Sequence, residues 1–173
     1  GTGDYNVAVG AEILANVTVG HSNVGVGYDA LYFNTTGYEN TTAGYYGLVS
    51  CTTGNSNVSV GNQAAYQVTT GTGNTCIGPN SGITIRTGDN NICIGSESNV
   101  TGNDAQYQAA IGYNSTCPRD NHIRFGASGY SNGISIHPGM IAPYTDNAAA
   151  TTADLSDGDL YMTSTGVLMI KYT

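Results

Sequence analysis

A glycine that recurs every 17 residues constrains this 173-residue chain more than any other feature of its sequence. The recurring residues are Gly10, Gly27, Gly44, Gly61, Gly78, Gly95 and Gly112. An asparagine lies four residues before each of the first six, at Asn6, Asn23, Asn40, Asn57, Asn74 and Asn91. A second glycine lies seven residues before each of the same six. Such self-similarity is typical of a solenoid, in which identical units stack along one axis. We number the repeat 1 to 17, ending on the recurring glycine.

Positions 14 to 16 of the repeat have the pattern of a short β-strand. Positions 14 and 16 are mostly β-branched, as in Val58 and Val60, and position 15 is small, as in Ser59. This alternation with period two predicts a strand. A second strand is predicted at positions 5 to 9, for example at 49–53 and 83–87. The glycines at positions 10 and 17 are expected to allow turns with positive φ.

A 17-residue coil is thin, and this limits what it can enclose. We expect Leu14, Leu31 and Leu48 to fill the interior together with one β-branched row, at position 14 or 16. The small residues of position 15 would then pack against neighbouring chains, because small side chains allow close backbone approach. The asparagines of position 13 would form a ladder between stacked coils, since a side-chain amide donates and accepts hydrogen bonds at once.

The four cysteines are predicted to be structural. Cys76 and Cys93 both occupy position 15 of adjacent units, so parallel stacking would place their Cα atoms about 4.8 Å apart. Stacked side chains point the same way, which fits the torsion of a disulfide poorly. We therefore expect free, buried thiols. The cysteine spacing is unlike that of zinc ligands, so no metal site is predicted.

The repeat resembles those of YadA-like head domains. The resemblance rests on residues 57–65, Asn-Val-Ser-Val-Gly-Asn-Gln-Ala-Ala, and on residues 27–37, Gly-Tyr-Asp-Ala-Leu-Tyr-Phe-Asn-Thr-Thr-Gly, and it covers about residues 3–112. Such domains occur in trimeric autotransporter adhesins and in fibre proteins of phages and large viruses, and this 17-residue unit is more similar to the phage and viral versions. The resemblance implies a left-handed parallel β-roll wound as a trimer.

The repeat pattern breaks after residue 112. The next unit, 113–126, is three residues short, with Arg124 at the small position and Phe125 at a β-branched one. The last residues, 146–173, resemble a C-terminal module of phage and viral fibres and predict two strands around a glycine-containing turn. We thus predict β-roll repeats over 1–112, a degenerate last coil and irregular cap over 113–145, and a C-terminal hairpin module over 146–173.

The predicted fold class is therefore all-β: a trimeric parallel β-roll or β-solenoid with 17-residue coils and a C-terminal cap that contains a β-hairpin. The chain opens in the middle of a repeat and without an initiator Met. We therefore expect it to be a fragment of a longer protein.

The charge of the chain excludes several classes of partner. Twelve acidic residues oppose four basic ones, which gives a formal net charge of -8. Nucleic-acid binding relies on Lys and Arg, so no nucleic-acid partner is predicted.

No apolar run is long enough to span a bilayer, so no membrane insertion is predicted. The histidines and carboxylates form no catalytic spacing, and we expect neither enzymatic activity nor a cofactor.

Aromatic residues are the remaining candidates for a binding role. The chain has 13 tyrosines; Tyr28 and Tyr45 share position 1, and Tyr32 and Tyr66 share position 5. Tyrosines on an uncharged polar surface suit either sugar stacking or packing between subunits, and both interpretations stay open. The irregular segment 113–173 offers loops on a rigid scaffold, where binding groups usually lie. The predicted receptor contacts there are Tyr130, His137 and Tyr144.

These features, with the resemblance, predict a non-enzymatic trimeric fibre or adhesin on a virion or extracellular surface, of phage or viral type, that attaches to a host glycan or receptor. One alternative is the head of a bacterial trimeric autotransporter adhesin, and another is a purely structural filament or particle-decoration protein. A third is an ice-binding solenoid, suggested by paired threonines such as Thr52 and Thr53. The interruption of these rows at Val19 and Arg86 counts against it.

Overall fold

A computed structural model of the chain describes residues 3–127 and the backbone of three short strands within 143–170. The chain divides into two compact units, Gly1–Gly133 and Ile134–Thr173. The first unit is a parallel β-solenoid of about seven turns. No helix occurs among the described residues. The all-β solenoid with 17-residue coils is thus confirmed, whereas the trimer and the handedness of the roll stay predictions.

One parallel sheet runs along the solenoid. Its strands, in spatial order, are β1 Val7–Ala11, β2 Val24–Tyr28, β3 Thr41–Ala43, β4 Val58–Val60, β5 Thr75–Ile77, β6 Ile92–Ile94, β8 Gln108–Ile111 and β10 His122–Phe125. From β1 to β8 each residue pairs with the residue 17 positions later, as Ser59 does with Cys76. The sequence period is therefore the register of the sheet, and each coil contributes one strand to it at positions 14 to 16.

The second strand predicted for every coil is wrong. Residues 49–53 and 83–87 form turns and bends instead. In the coil 45–61 the backbone takes positive φ at Tyr46 and Leu48, and the N–H of Cys51 donates to the carbonyl of Leu48. This tight turn prevents an extended run. A second strand forms only at the end of the described solenoid, where β7 Asn99–Val100 pairs with β9 Thr116–Cys117.

The two faces of the long sheet are the reverse of the prediction. The small residues of position 15, such as Ser59, are fully buried inside the coil. The β-branched residues of position 16 point outward, and Val60, Ile77 and Ile94 are 40%, 39% and 37% exposed. The interior already holds the larger side chains of positions 4 and 7, so only small residues fit opposite them. The predicted burial of Leu14, Leu31 and Leu48 at position 4 is confirmed.

The asparagine ladder is confirmed in detail. The side-chain nitrogen of Asn57 donates to the side-chain oxygen of Asn40 at 3.0 Å and to the carbonyl of Gly71 at 2.9 Å. The side-chain oxygen of Asn57 accepts from the backbone and the side chain of Asn74, at 2.9 Å and 3.1 Å. Every buried polar atom of the Asn57 amide group therefore has a partner, and the same pattern links the asparagines of successive coils from Asn6 to Asn91.

Close stacking of coils requires glycine in both rows, and the row at position 17 has a second cause in its backbone conformation. At position 17 the backbone takes positive φ, for example 132° at Gly61, where other residues are strained. At position 10, which was also predicted to need positive φ, the structure shows none. A side chain at Gly54 would instead overlap the carbonyl oxygen of Gly71 in the next coil. Close stacking of coils therefore explains this second row.

The solenoid continues into the shortened unit 113–126. β10 pairs in parallel with β8, and Arg124 aligns with Ala110, so the arginine does take the small inward position. In the second unit β11 Pro143–Tyr144 pairs with β12 Leu160–Thr163, and β12 pairs antiparallel with β13 Leu168–Ile170. The last pairing is the predicted hairpin. Whether this unit caps the roll, and whether the boundaries at 112 and 145 hold, stay predictions.

Candidate binding surface

The described residues contain no arrangement that points to metal or membrane chemistry. No group of three or more His, Cys, Asp or Glu side chains lies together between residues 3 and 127. Within the described part of the chain, no helix has the length and apolar character needed to cross a bilayer. The remaining candidates for a functional site are the exposed side chains of the solenoid.

The cysteines contribute to the interior and not to the surface. Cys76 and Cys93 pair in register on β5 and β6, and both are buried and free, as predicted. Cys51 and Cys117 are buried and free as well. The Cys93 thiol and burial hold the pKa of Cys76 well above its ordinary range, and burial raises the pKa of Cys51 to about 11. Cys51 and Cys76 therefore act as small apolar side chains, because their reactive thiolate is suppressed.

Four tyrosines form a contiguous cluster across three coils; we call Tyr28, Tyr45, Tyr46 and Tyr66 the tyrosine cluster. The rings of Tyr28 and Tyr45 stack with centroids 5.6 Å apart and 15° between their planes. Tyr46 lies 4.1 Å from Tyr45 and meets Tyr66 edge-on at 6.1 Å. Tyr28 and Tyr45 are 44% and 45% exposed. The cluster is thus a partly solvated surface whose rings support one another.

Stacking of the coils brings these rings together. Tyr28 and Tyr45 both follow the position-17 glycine, so one coil places its ring over the other, as the shared position predicted. Tyr46 follows directly, and its positive φ of 57° turns the chain there. Tyr66 comes from position 5 of the next coil. No sequence signal pointed to the contact between Tyr46 and Tyr66, because they occupy different positions of the repeat.

Tyr32 and Tyr66, which share position 5 of the repeat, do not stack on each other. They lie two coils apart, with Val49 at position 5 of the coil between them. Tyr32 instead meets Phe33 edge-on, with ring centroids 4.8 Å apart. A separate stack joins His21 to Tyr38 at 5.1 Å and 6°. Aromatic contacts are therefore spread over the solenoid, but only the tyrosine cluster joins more than two rings.

Carboxylates give the tyrosine cluster a negative environment. The charge of Asp29, with smaller effects of burial and of Glu12, raises the pKa of Tyr28. The neighbouring hydroxyl of Tyr45 is the largest cause that raises the pKa of Tyr46 to about 12. The hydroxyls of Tyr28 and Tyr46 therefore stay protonated at neutral pH. They can donate and accept hydrogen bonds, while the two carboxylates can only accept.

A second exposed feature is the outward row of position 16. We call Val26, Val60, Ile77 and Ile94 the apolar stripe. Coils stack in register, so these side chains follow one line along the sheet, with Ala43 between Val26 and Val60. Neighbouring positions on this line are separated by the strand spacing of about 4.8 Å. Each is more than a third exposed. Contiguous exposed apolar surface is typical of interaction sites.

A threonine row at position 8 is engaged within the solenoid. The hydroxyl of Thr35 donates to the carbonyl of Thr52 at 3.1 Å, and that of Thr52 donates to the carbonyl of Thr69 at 3.3 Å. The hydroxyl of Thr69 continues the row to the carbonyl of Arg86 at 3.1 Å. These donors link coils and are not free for solvent, which counts further against the ice-binding alternative.

The predicted receptor contacts lie outside the residues whose side chains are described. Tyr130 and His137 fall outside the described residues altogether. Tyr144 lies in β11, of which only the backbone is described. These three residues stay predictions, and the tyrosine cluster is the candidate site for which the structure supplies geometry.

Comparison with known proteins does not extend these assignments. No family model matches the sequence, and neither the curated proteins nor the solved structures give a match. The features that bear on function are therefore the fold and the two exposed surfaces, the tyrosine cluster and the apolar stripe.

Proposed function

We propose that the chain is a non-enzymatic trimeric fibre or adhesin that attaches a phage or viral particle to a host surface. The observation that carries the proposal is the apolar stripe. A coil whose interior is already filled still exposes valine and isoleucine along its sheet. Contact between apolar side chains and water is unfavourable in free energy, and association with other chains would bury this surface.

Identical copies are the partners that fit the stripe best. Its side chains repeat with the rise of the coil, and a second copy has the same rise, so contacts made at one coil recur at the next. Mutual burial of such rows is the packing expected of an obligate oligomer, whose interfaces are apolar. The number three comes from the resemblance to YadA-like heads. The net charge of -8 favours partners other than nucleic acid.

Attachment to a host surface agrees with the other features of the solenoid. A stack held together by buried amide ladders is a stiff support, and binding groups usually lie on rigid scaffolds. Three chains present each surface three times, so weak contacts gain avidity. Tyr130, His137 and Tyr144 remain the predicted contacts in the segment 113–173, with a glycan or protein receptor as the ligand and a virion or extracellular surface as the location.

The test compares charge on two faces of the same coils. Val60→Lys with Ile77→Lys places two charges on the stripe, and Thr53→Lys with Thr70→Lys places them at exposed threonines of the same two coils. We expect the first protein to be monomeric and the second to stay trimeric by light scattering. A monomeric parent protein, or a trimeric stripe variant, would contradict the assembly proposal.

Adsorption of labelled trimer to cells tests the attachment step. We expect saturable adsorption that unlabelled trimer competes away. A trimer that adsorbs to no cell type and stacks end to end in micrographs would favour the structural-filament alternative. A full-length gene that encodes a coiled-coil stalk and a membrane anchor would favour the bacterial adhesin.

A further inference from the structure

We propose that the free face of Tyr28, beside Ala11 and between the carboxylates of Glu12 and Asp29, binds a sugar ring of an uncharged glycan. This inference rests on the proposed attachment function, because it names the ligand class of a surface-binding fibre. It assigns the contact to the body of the solenoid, separate from the contacts predicted in the segment 113–173.

The first observation is an aromatic stack that stops. At position 1, successive coils carry Ala11, Tyr28, Tyr45 and Asn62. Ala11 pairs in register with Tyr28 across β1 and β2. One face of the Tyr28 ring is covered by Tyr45. On the other side, the neighbouring coil carries Ala11 in register with Tyr28, so its side chain there is a methyl group and not a ring. A ring-sized ligand can take the place where the next aromatic ring of the stack would lie.

The second observation is that this place lies beside unused acceptors. Glu12 and Asp29 both occupy position 2, directly after Ala11 and Tyr28. Both act on the Tyr28 hydroxyl. Among residues 3–127, neither carboxylate forms a hydrogen bond, and Asp29 Oδ1 is buried without a partner. Unpaired acceptors next to an aromatic face suit the hydroxyl groups of a sugar, whose C–H groups pack on the ring.

Charge decides between classes of glycan. The basic residues of the chain are Arg86, Arg119, Arg124 and Lys171. None of them lies in the coils that form the tyrosine cluster, and two carboxylates do lie beside it. A sulfated or sialylated sugar would bring an anion close to these groups and would be repelled. The site therefore favours uncharged hexoses or N-acetylhexosamines.

The remaining tyrosines make the site rigid before it binds. Tyr45 stacks on Tyr28, and Tyr46 meets both rings, at 4.1 Å from Tyr45 and 6.0 Å from Tyr28. A side chain held by its neighbours loses little freedom when a ligand binds, and this preorganisation favours affinity. Each chain of an oligomer would carry one such site, and weak single contacts would then act together.

The experiment uses the whole chain on an array of neutral, sialylated and sulfated oligosaccharides, followed by titration calorimetry with the neutral oligosaccharide that binds best. We expect binding to neutral glycans only. Tyr28→Ala removes the stacking face, and Ala11→Tyr fills the free place with the ring that the stack lacks. Both variants should lower the affinity by about tenfold or more.

Ala11→Tyr is the sharper variant, because it adds a ring to an existing stack and should leave the thermal unfolding temperature unchanged or higher. Tyr38→Ala, which removes an exposed stacked ring elsewhere, is the matched control and should keep the affinity of the parent protein. Glu12→Gln with Asp29→Asn should weaken neutral binding while keeping the fold.

Three results would overturn the inference: no binding to any neutral glycan, full binding by folded Ala11→Tyr, or a preference for sulfated, sialylated or cationic ligands. Two experimental outcomes distinguish failure of the glycan-site inference from failure of the attachment proposal. A trimer that adsorbs to cells with Tyr28→Ala as well as without it attaches elsewhere, whereas a chain that binds the array but no cell has a glycan site without that function.

Discussion

The regular coils, 11–95, and the last described coils, 96–127, solve the same packing problem with different residues. In the regular coils, the asparagine at position 13 links each coil to both neighbours. In the unit 96–112 its place is taken by Gln108, whose backbone N–H still donates to the side-chain oxygen of Asn91 at 3.0 Å. The longer glutamine side chain then donates to Asp120 at 2.9 Å and accepts from the N–H of Thr101 at 3.0 Å.

This difference shows how a side-chain ladder is ended. Each rung uses the amide of the next coil, so the last rung would keep buried groups without partners, and unpaired buried groups are destabilising. Gln108 and Asp120 supply hydrogen-bond partners at this end of the ladder in place of a further asparagine. The N–H of Gln106, with the side chain of Gln108, lowers the pKa of Asp120. Terminal repeats of solenoids depart from the consensus for this reason.

The inward row of position 15 changes in the same region. In the regular coils it is small and fully buried, as at Ser59, while in the last coil it is the half-buried Arg124. The Arg124 guanidinium donates to the carbonyl of Ala127 at 3.4 Å. A long charged side chain is compatible with this row only where no further regular coil must stack on it.

The largest effect is expected from exchanging the two inward residues. Ser59→Arg places a charge in the filled interior and should lower the free energy of unfolding by about 3–5 kcal/mol. Arg124→Ser, its reverse in the last coil, should change it by about 1 kcal/mol or less. Denaturant unfolding at one fixed protein concentration measures both. Equal losses in the two variants would show that the inward row is uniform after all.

A smaller loss is expected from breaking the ladder in its middle. Asn57→Ala leaves the N–H of Asn74 and the carbonyl of Gly71 without their partner and should cost about 3 kcal/mol. Asn6→Ala, on the partly buried first rung, should cost about 1 kcal/mol or less. Thermal unfolding of the two variants tests whether a rung between two neighbours contributes more than a rung with one.

A gain in stability is expected at Asn34. It occupies position 7, where other coils carry Cys51, Val68 and Ile85, and its buried amide lies beside the Cys51 thiol without forming a well-aligned hydrogen bond. Asn34→Val should raise the free energy of unfolding by about 1–2 kcal/mol, because an unsatisfied polar group is removed. Val68→Asn is the matched reverse and should lower it. A destabilised Asn34→Val protein would mean that the amide has a structural role.

The smallest expected effect is a dependence of local stability around Asp120 on pH. Asp120 has a lowered pKa in the folded chain, so its contribution is present above the ordinary carboxyl pKa of about 3.9 and is lost as the pH falls through the folded value. The protection factors of the Gln106 and Gln108 amides, which compare hydrogen exchange with the intrinsic rate at each pH, should therefore fall below about pH 4. Exchange at Asn57, in the uncharged ladder, should show no such step. Asp120→Asn should remove the pH dependence.

Much of the solenoid could be predicted because repetition carries its own register. The period gave the alignment of Ser59 with Cys76, the asparagine ladder and the contact of Tyr28 with Tyr45. The hairpin of β12 and β13 followed from alternation around a turn. The contact of Tyr46 with Tyr66 could not be predicted, since it joins unlike positions of different coils. Asp29 and Glu12 became part of the candidate site only because the structure places both carboxylates near the Tyr28 hydroxyl.

The sequence by itself determined that the chain stacks every 17 residues, which residues share a row, and that the two faces of each strand differ. Only the tertiary structure decided which face lies inside. Alternation with period two is the same whether the small or the β-branched row is buried. The choice depends on where the chain turns, and it turns at residues such as Tyr46, Leu48 and Ser56, which take positive φ although nothing in their side chains marks them for it. Those turns direct leucine into the interior and leave only small side chains room opposite it, so the apolar stripe faces outward.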